Sequence, residues 1–135
     1  MRQAQAAEAS LIRTLTRTAR AVTLRIEPLL KKEGLTLDGW LVLDALAAGD
    51  GLTMTELAGH TLVTGPTLTR VVDRLVTTAA AYREVDVEDR RRVRVYLAPR
   101  GRSAHQRATA RLAEVERELD PDGGVAAALV SVDPG

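Results

Sequence analysis

Cysteine is absent from this 135-residue chain, which removes disulfides, thiolate chemistry and thiol-based redox sensing. Lysine is nearly absent. Lys31 and Lys32 are the only two, so arginine carries almost all of the positive charge. Long apolar runs are missing as well. A membrane-spanning helix needs roughly 20 apolar residues in a row, and every apolar stretch here is short and broken by charges. Met1 is followed by Arg2-Gln3-Ala4-Gln5-Ala6-Ala7-Glu8, which lacks the apolar core of a secretory signal. The expectation is a cytoplasmic protein without a membrane partner. No nucleophile–base pair, phosphate-binding glycine loop or paired carboxylates stand in a supporting context. Glu56 and His60 have i,i+4 spacing, but two ligands are too few for a metal. No catalytic residue, metal or cofactor is therefore expected, and the chain reads as a non-enzyme.

Forty-five per cent of the residues are apolar, enough for one folded domain with a real core. The net charge is only +1, but its distribution is uneven. Between Thr64 and Arg102 nine arginines (70, 74, 83, 90, 91, 92, 94, 100 and 102) face five carboxylates, a local excess of four. The rest of the chain is then net negative by three. A basic surface on a nearly neutral protein suits phosphate binding. The competing reading is a solvated arginine-rich face.

Hydrophobic spacing lays out the elements. From Glu8 to Lys32, Leu11, Leu15, Val22, Ile26 and Leu29 form one stripe of a long helix, with Pro28 inside it. Gly34 ends that helix. Thr36 caps a second helix carrying Trp40, Leu41, Leu43 and Leu46, and Gly49-Asp50-Gly51 breaks it. Thr53 and Glu56 have the spacing of a capping box before a short helix. Thr64 is the expected cap of the next helix, with Pro66 in its first turn. Leu68, Val71, Val72 and Leu75 make its inner face; Pro66, Thr67, Arg70 and Arg74 fall outside.

Two short helices so joined have helix-turn-helix geometry. Tyr82–Asp86 and Val93–Leu97 are strand candidates with a charged hairpin tip between them. Pro99 opens a helix striped by Ala104, Ala108, Leu112, Val115 and Leu119. Asp120-Pro121-Asp122-Gly123-Gly124 breaks it, and Val125–Val132 reads as one more short helix. The expected fold is mainly α, formally α+β: a winged helix-turn-helix with long terminal helices. Its parts are residues 1–34, the winged region 35–98, and residues 99–135, in one compact domain.

In that order, these motifs resemble the MarR family of bacterial transcription regulators. Leu35-Thr36 through Leu43, then Leu52–Ala58, are similar to the family's second and third helices. Thr67-Leu68-Thr69-Arg70-Val71-Val72-Asp73-Arg74-Leu75 is similar to its recognition helix, and Asp89-Arg90-Arg91 with Leu97 and Gly101 to its wing. Departures are visible too. Ala79-Ala80-Ala81 stands where the family usually has Gly-Leu-Val, which predicts a strained left-handed end to the recognition helix. Ala98 stands where a threonine cap is usual, and the tail after Leu119 is short.

The resemblance implies a homodimer that binds double-stranded DNA at a pseudo-palindromic operator and acts as a ligand-responsive repressor. DNA contacts are expected from Thr64, Pro66, Thr67, Thr69, Arg70 and Arg74 on the recognition helix, and from Arg90, Arg91, Arg92 and Arg94 on the wing. Arginine can bond guanine bidentately in the major groove, and an arginine at a hairpin tip can enter a narrow minor groove. Asp89 is expected to brace the wing against Arg91. The competing reading pairs Arg70 or Arg74 with Asp73 or another acid on the surface. Leu11, Leu15, Val22, Ile26, Leu112, Val115 and Leu119 are the expected dimer contacts. A small-molecule effector is implied by the resemblance, although the residues name none. Trp40 is expected in the core with a partner for its indole N–H, and His105 on the surface. The alternative function is a helical protein-interaction module whose winged domain no longer binds DNA. Less favoured are a small enzyme and another winged-helix family.

Overall fold

A 30-residue helix, α1 (Arg2–Lys31), opens the chain. In this computed structural model residues 2–132 are described, with side chains from Ser10 onward; Met1 and the last three residues of the expected terminal segments lie outside them. The helix begins six residues earlier than the apolar stripe predicts, because alanine and glutamine favour helix without contributing to a stripe. It runs continuously through Pro28. Lys31 is its last residue and Lys32 already lies in the turn beyond. That turn is a Schellman closure: Leu35 N–H donates to Leu30 C=O (3.0 Å) and Gly34 N–H to Lys31 C=O (3.0 Å), with Gly34 at φ +70°.

Helix α2 (Leu37–Ala47) starts as expected at Thr36, whose hydroxyl accepts the Gly39 N–H at 3.0 Å. Gly51, at φ +89°, turns the chain into a two-residue strand, β1 (Leu52–Thr53). Helix α3 (Met54–Thr61) follows, with the Thr53 hydroxyl accepting from Glu56 N–H at 3.2 Å. The expected capping box is half-formed. Glu56 reaches back to the Thr53 hydroxyl at 3.1 Å rather than to its backbone, because β1 pairs that backbone stretch with the wing. Helix α4 (Gly65–Thr77) has Thr64 as its N-cap and Pro66 in its first turn. The Thr64 hydroxyl makes no capping bond, which corrects the expectation of a side-chain cap.

The wing is a three-stranded antiparallel sheet in the order β1-β3-β2, with β2 at Ala81–Val85 and β3 at Val93–Leu97. The sequence pattern predicts only two of these strands. The third is too short to show alternation, and only pairing with β3, Leu52 opposite Val95, makes it a strand. Helix α5 (Pro99–Leu119) has Ala98 at its N-cap without a side-chain bond. Helix α6 (Gly124–Leu129) and a 3-10 turn (Val130–Val132) complete the described chain.

One core joins these parts. Leu30, Val42, Leu43, Leu46, Leu57, Leu68, Val72 and Val95 are fully buried, and Ala108, Leu112 and Val115 of α5 close it from the other side. Ile26, Leu112 and Val115, expected between two copies, are buried within this one, and Val22 is half-buried against the same core. Periodicity identifies a buried face, not what buries it; here α1 and α5 bury each other's stripes in part. Glu33 ties the end of α1 to α5. Its carboxylate accepts from Arg107 Nε (2.7 Å) and Arg111 Nε (3.1 Å), and Arg25 pairs with Glu118 further along. The N-terminal part of α1 is different: every residue from Ser10 to Ala21 is exposed, including Leu11 and Leu15. Leu119 is also exposed.

Candidate nucleic-acid interface

Helix α4 is amphipathic, because its apolar residues sit at one-turn spacing. Leu68, Val72 and Leu75 turn inward, and Val71 is half-buried. The opposite side presents Thr64, Pro66, Thr69, Arg70, Asp73 and Arg74 to solvent, while Thr67 is half-buried. Thr69 Oγ1 donates back to Gly65 C=O at 3.1 Å. Arg70 is braced only weakly, by an Nη2–Thr67 Oγ1 contact of 3.4 Å. Asp73 is occupied by Arg83 of β2, so the competing pairing of Asp73 with Arg70 or Arg74 is not the one formed. Among the described residues neither Arg70 nor Arg74 has an ion-pair partner. The Asp73–Arg83 pair is not legible in the sequence. Its two residues are ten apart, with a helix end and a strand start between them, and no local spacing rule reaches that far.

The wing turn is built from carboxylates that accept backbone N–H groups. Asp86 Oδ1 accepts from Glu88 N–H and Asp89 Oδ1 from Arg91 N–H, both at 3.0 Å. Asp86 N–H donates to Arg92 C=O at 2.8 Å, closing the hairpin. Asp89 therefore does brace the loop, but through the Arg91 backbone. The Arg91 side chain is 95% exposed, with its Nε 3.7 Å from Asp89, and Arg92 Nε stands 3.9 Å away. Arg90 is exposed at the tip. These three cations are turned to solvent where a polyanion can reach them.

Arg94 is placed otherwise. Alternation puts it on the outer sheet face, where the sequence predicts a contact with DNA phosphate. Instead its Nε donates to Asp86 Oδ2 (3.0 Å) and its Nη1 to Gly51 C=O (3.3 Å), with Glu56 Oε1 at 3.5 Å. The N–H of Glu88, then the Arg94 guanidinium, hold the Asp86 carboxyl below its usual range. Asp86 in turn raises the Arg94 value. Arg94 is a strut joining the wing loop, the start of α3 and the turn before β1. Between that helix start and the wing lies an open groove of about 480 Å³, lined by Thr53–Glu56 and Arg91–Val93.

A second cluster lies where α2 meets α5. Trp40 is half-buried and its Nε1–H donates to Thr109 Oγ1 at 3.2 Å. His105, expected on the surface, stacks on Trp40 with ring centroids 6.1 Å apart, and its Nε2 bonds Asp44 Oδ1 at 2.8 Å. Its position beside the buried Ala104 and Ala108 is the signal in the sequence that points to this. Glu56 engages Thr53 and Arg94, while His60 lines a separate groove with Asp44. Among the described residues no three His, Asp or Glu gather to hold a metal, and no helix is long and apolar enough to cross a membrane.

The fold has counterparts among known proteins. A family model described as MarR family matches residues 33–92, from the foot of α1 to the wing turn. The homoprotocatechuate degradative operon repressor of Escherichia coli is 23% identical over 111 residues, covering 82% of this chain and 75% of the relative. Among solved structures, the transcriptional regulator BldR from Sulfolobus solfataricus superposes with a TM-score of 0.84 at 24% identity, covering 94% of each chain. The transcriptional repressor CouR, bound to a 23-mer DNA duplex, gives a TM-score of 0.82 at 22% identity, again over 94% of each chain.

Proposed function

We propose, from the match of residues 33–92 to the MarR family model, that this chain is a sequence-specific DNA-binding transcription regulator of that family and acts as a repressor. The observation that carries this reading is the exposed arginine set. Among the described residues Arg70 and Arg74, on the outer face of α4, have no ion-pair partner, and Arg90, Arg91 and Arg92 project from the wing. Helix α4 enters a major groove, where Arg70 reads base edges and Thr64, Pro66, Thr67 and Thr69 approach bases and phosphates. Arg90 enters the flanking minor groove, which an A·T-rich sequence narrows and makes more negative. Arg94 belongs to the scaffold beneath them.

The working unit in this proposal is a homodimer. Leu11, Ile12 and Leu15 on α1, with Leu119, Leu129 and Val130 toward the other end, remain uncovered by the protomer, and a second copy supplies the missing cover. Two-fold symmetry then asks for a pseudo-palindromic operator with half-sites about one helical turn apart. Release by a small molecule belongs to the same reading. A groove of about 580 Å³ lined by Glu27, Lys31, Leu35, Thr36 and Arg74 adjoins the recognition helix. A ligand that favours a conformer unsuited to DNA lowers operator affinity by that preference.

Selection of duplexes from a random pool by the full chain, at fixed salt, tests the reading. A palindromic consensus supports it. Retention of no sequence above background contradicts it.

A further inference from the structure

Leu62 sits in the turn between α3 and α4 with φ +58° and ψ +19°, in the left-handed region. A β-carbon crowds the following carbonyl there, and a γ-branched chain gains nothing from the conformation. The turn itself explains the backbone. Leu62 N–H closes α3 on Ala58 C=O at 2.9 Å, and Val63 N–H is held by Thr61 Oγ1 at 3.3 Å. It does not explain the side chain, which glycine would spare. Nor does the protomer recover the cost by packing, since Leu62 is 65% exposed. Its neighbour Val63 packs against the core instead. A strained residue that also exposes a large apolar group points to an external contact.

Its place selects the partner. Leu62 lies two residues before Thr64, the N-cap of α4, and the N-terminal end of such a helix is the end that meets base edges. The major-groove edges of the bases carry polar groups and one apolar one, the thymine C5-methyl. We propose that Leu62 packs against a thymine methyl in each half-site and contributes to the choice of operator. The proposal rests on the DNA-binding reading above, and adds a residue to it that reads by apolar contact rather than hydrogen bonding.

The test uses the full chain and the duplex that it selects from a random pool, with each thymine replaced in turn by deoxyuridine. Leu62→Gly relieves the left-handed strain, so its thermal midpoint rises while its affinity for the selected duplex falls about tenfold, as removal of a buried apolar group from two half-sites implies. Leu62→Asn, which tolerates the same backbone, also binds more weakly. In the wild type one thymine per half-site is sensitive to removal of its methyl, and in Leu62→Gly that sensitivity is gone. A merely more flexible turn would weaken binding at every position and leave the deoxyuridine pattern intact, which overturns the proposal. So does wild-type affinity in Leu62→Gly. Failure of the wild-type chain to select any duplex overturns the DNA-binding reading and this inference with it.

Discussion

The carbonyl oxygen of Ala80 occupies the space that a β-carbon on Gly101 would need, at 1.9 Å from its ideal position. The same oxygen accepts the Ala98 N–H at 3.0 Å. The end of α4, the base of the wing and the first turn of α5 are thus locked backbone to backbone. Gly101→Ala forces either the helix or the strand away. We expect it to destabilise the fold by about 1–3 kcal/mol, as overpacking of a filled site does, measured by urea unfolding. A wild-type midpoint would mean that α5 can slide without cost.

Two Schellman closures in this chain differ by one side chain. Helix α1 ends on Gly34 at φ +70°, and α4 ends on Ala79 at φ +63°. Around Ala79 the bonds are complete: Ala80 N–H donates to Leu75 C=O (2.8 Å) and Ala79 N–H to Val76 C=O (3.0 Å). Ala79→Gly keeps both bonds and removes the β-carbon, so it should stabilise the protein by roughly 0.5–1 kcal/mol. A lower midpoint in thermal unfolding would show that the strain is absent.

The elements governed by local chemistry are legible in the sequence. Thr36 and Thr53 cap helices as their spacing predicts and Val93–Leu97 is a strand to the residue, whereas the positive φ at Ala79 is expected from the family resemblance and not from alanine itself. What the sequence hides depends on distant partners. Alternation puts Arg94 on the outer sheet face, yet Asp86, Glu56 and the Gly51 carbonyl wait there. The stripe on α5 marks Leu112 and Val115 as covered, but α1 and the rest of the protomer cover them. His105 is drawn inward by Trp40 and Asp44, both more than sixty residues away.

Glu33 gives a pH signature. Hydrogen bonds from Arg107 and then Arg111 lower its carboxyl value below the ordinary glutamate range. A carboxyl lowered on folding adds stability above its unfolded value, and that contribution disappears as the pH falls through the folded value. Glu33→Gln should therefore be less stable than wild type at neutral pH. The gap should close as the pH drops below about 4, read from urea midpoints across pH. A constant gap would mean that the charge on Glu33 contributes nothing.

Exposure separates two groups of leucines that the sequence places together. Leu15 is 39% exposed and Leu112 is 4%. Leu15→Arg should move the chain toward monomer in sedimentation at about 10 μM, a concentration at which the proposed dimer depends on mass action. Leu112→Ala should keep the dimer and lower unfolding stability by about 2–5 kcal/mol, the cost of a core cavity. A monomeric wild type at that concentration would remove the proposed dimer interface.

The role of Arg70 tests the account most directly. The full chain and its Arg70→Ala variant are titrated against the selected duplex and a scrambled one at several salt concentrations, with Arg90→Ala alongside. Arg70→Ala should cost roughly 1–3 kcal/mol on the selected duplex and relax base preference at one position per half-site. Arg90→Ala should weaken binding to both duplexes and reduce the slope of log affinity against log salt by about one for each phosphate no longer neutralised. If Arg70→Ala binds both duplexes as the wild type does, with the same base preference, α4 is not the element that reads DNA.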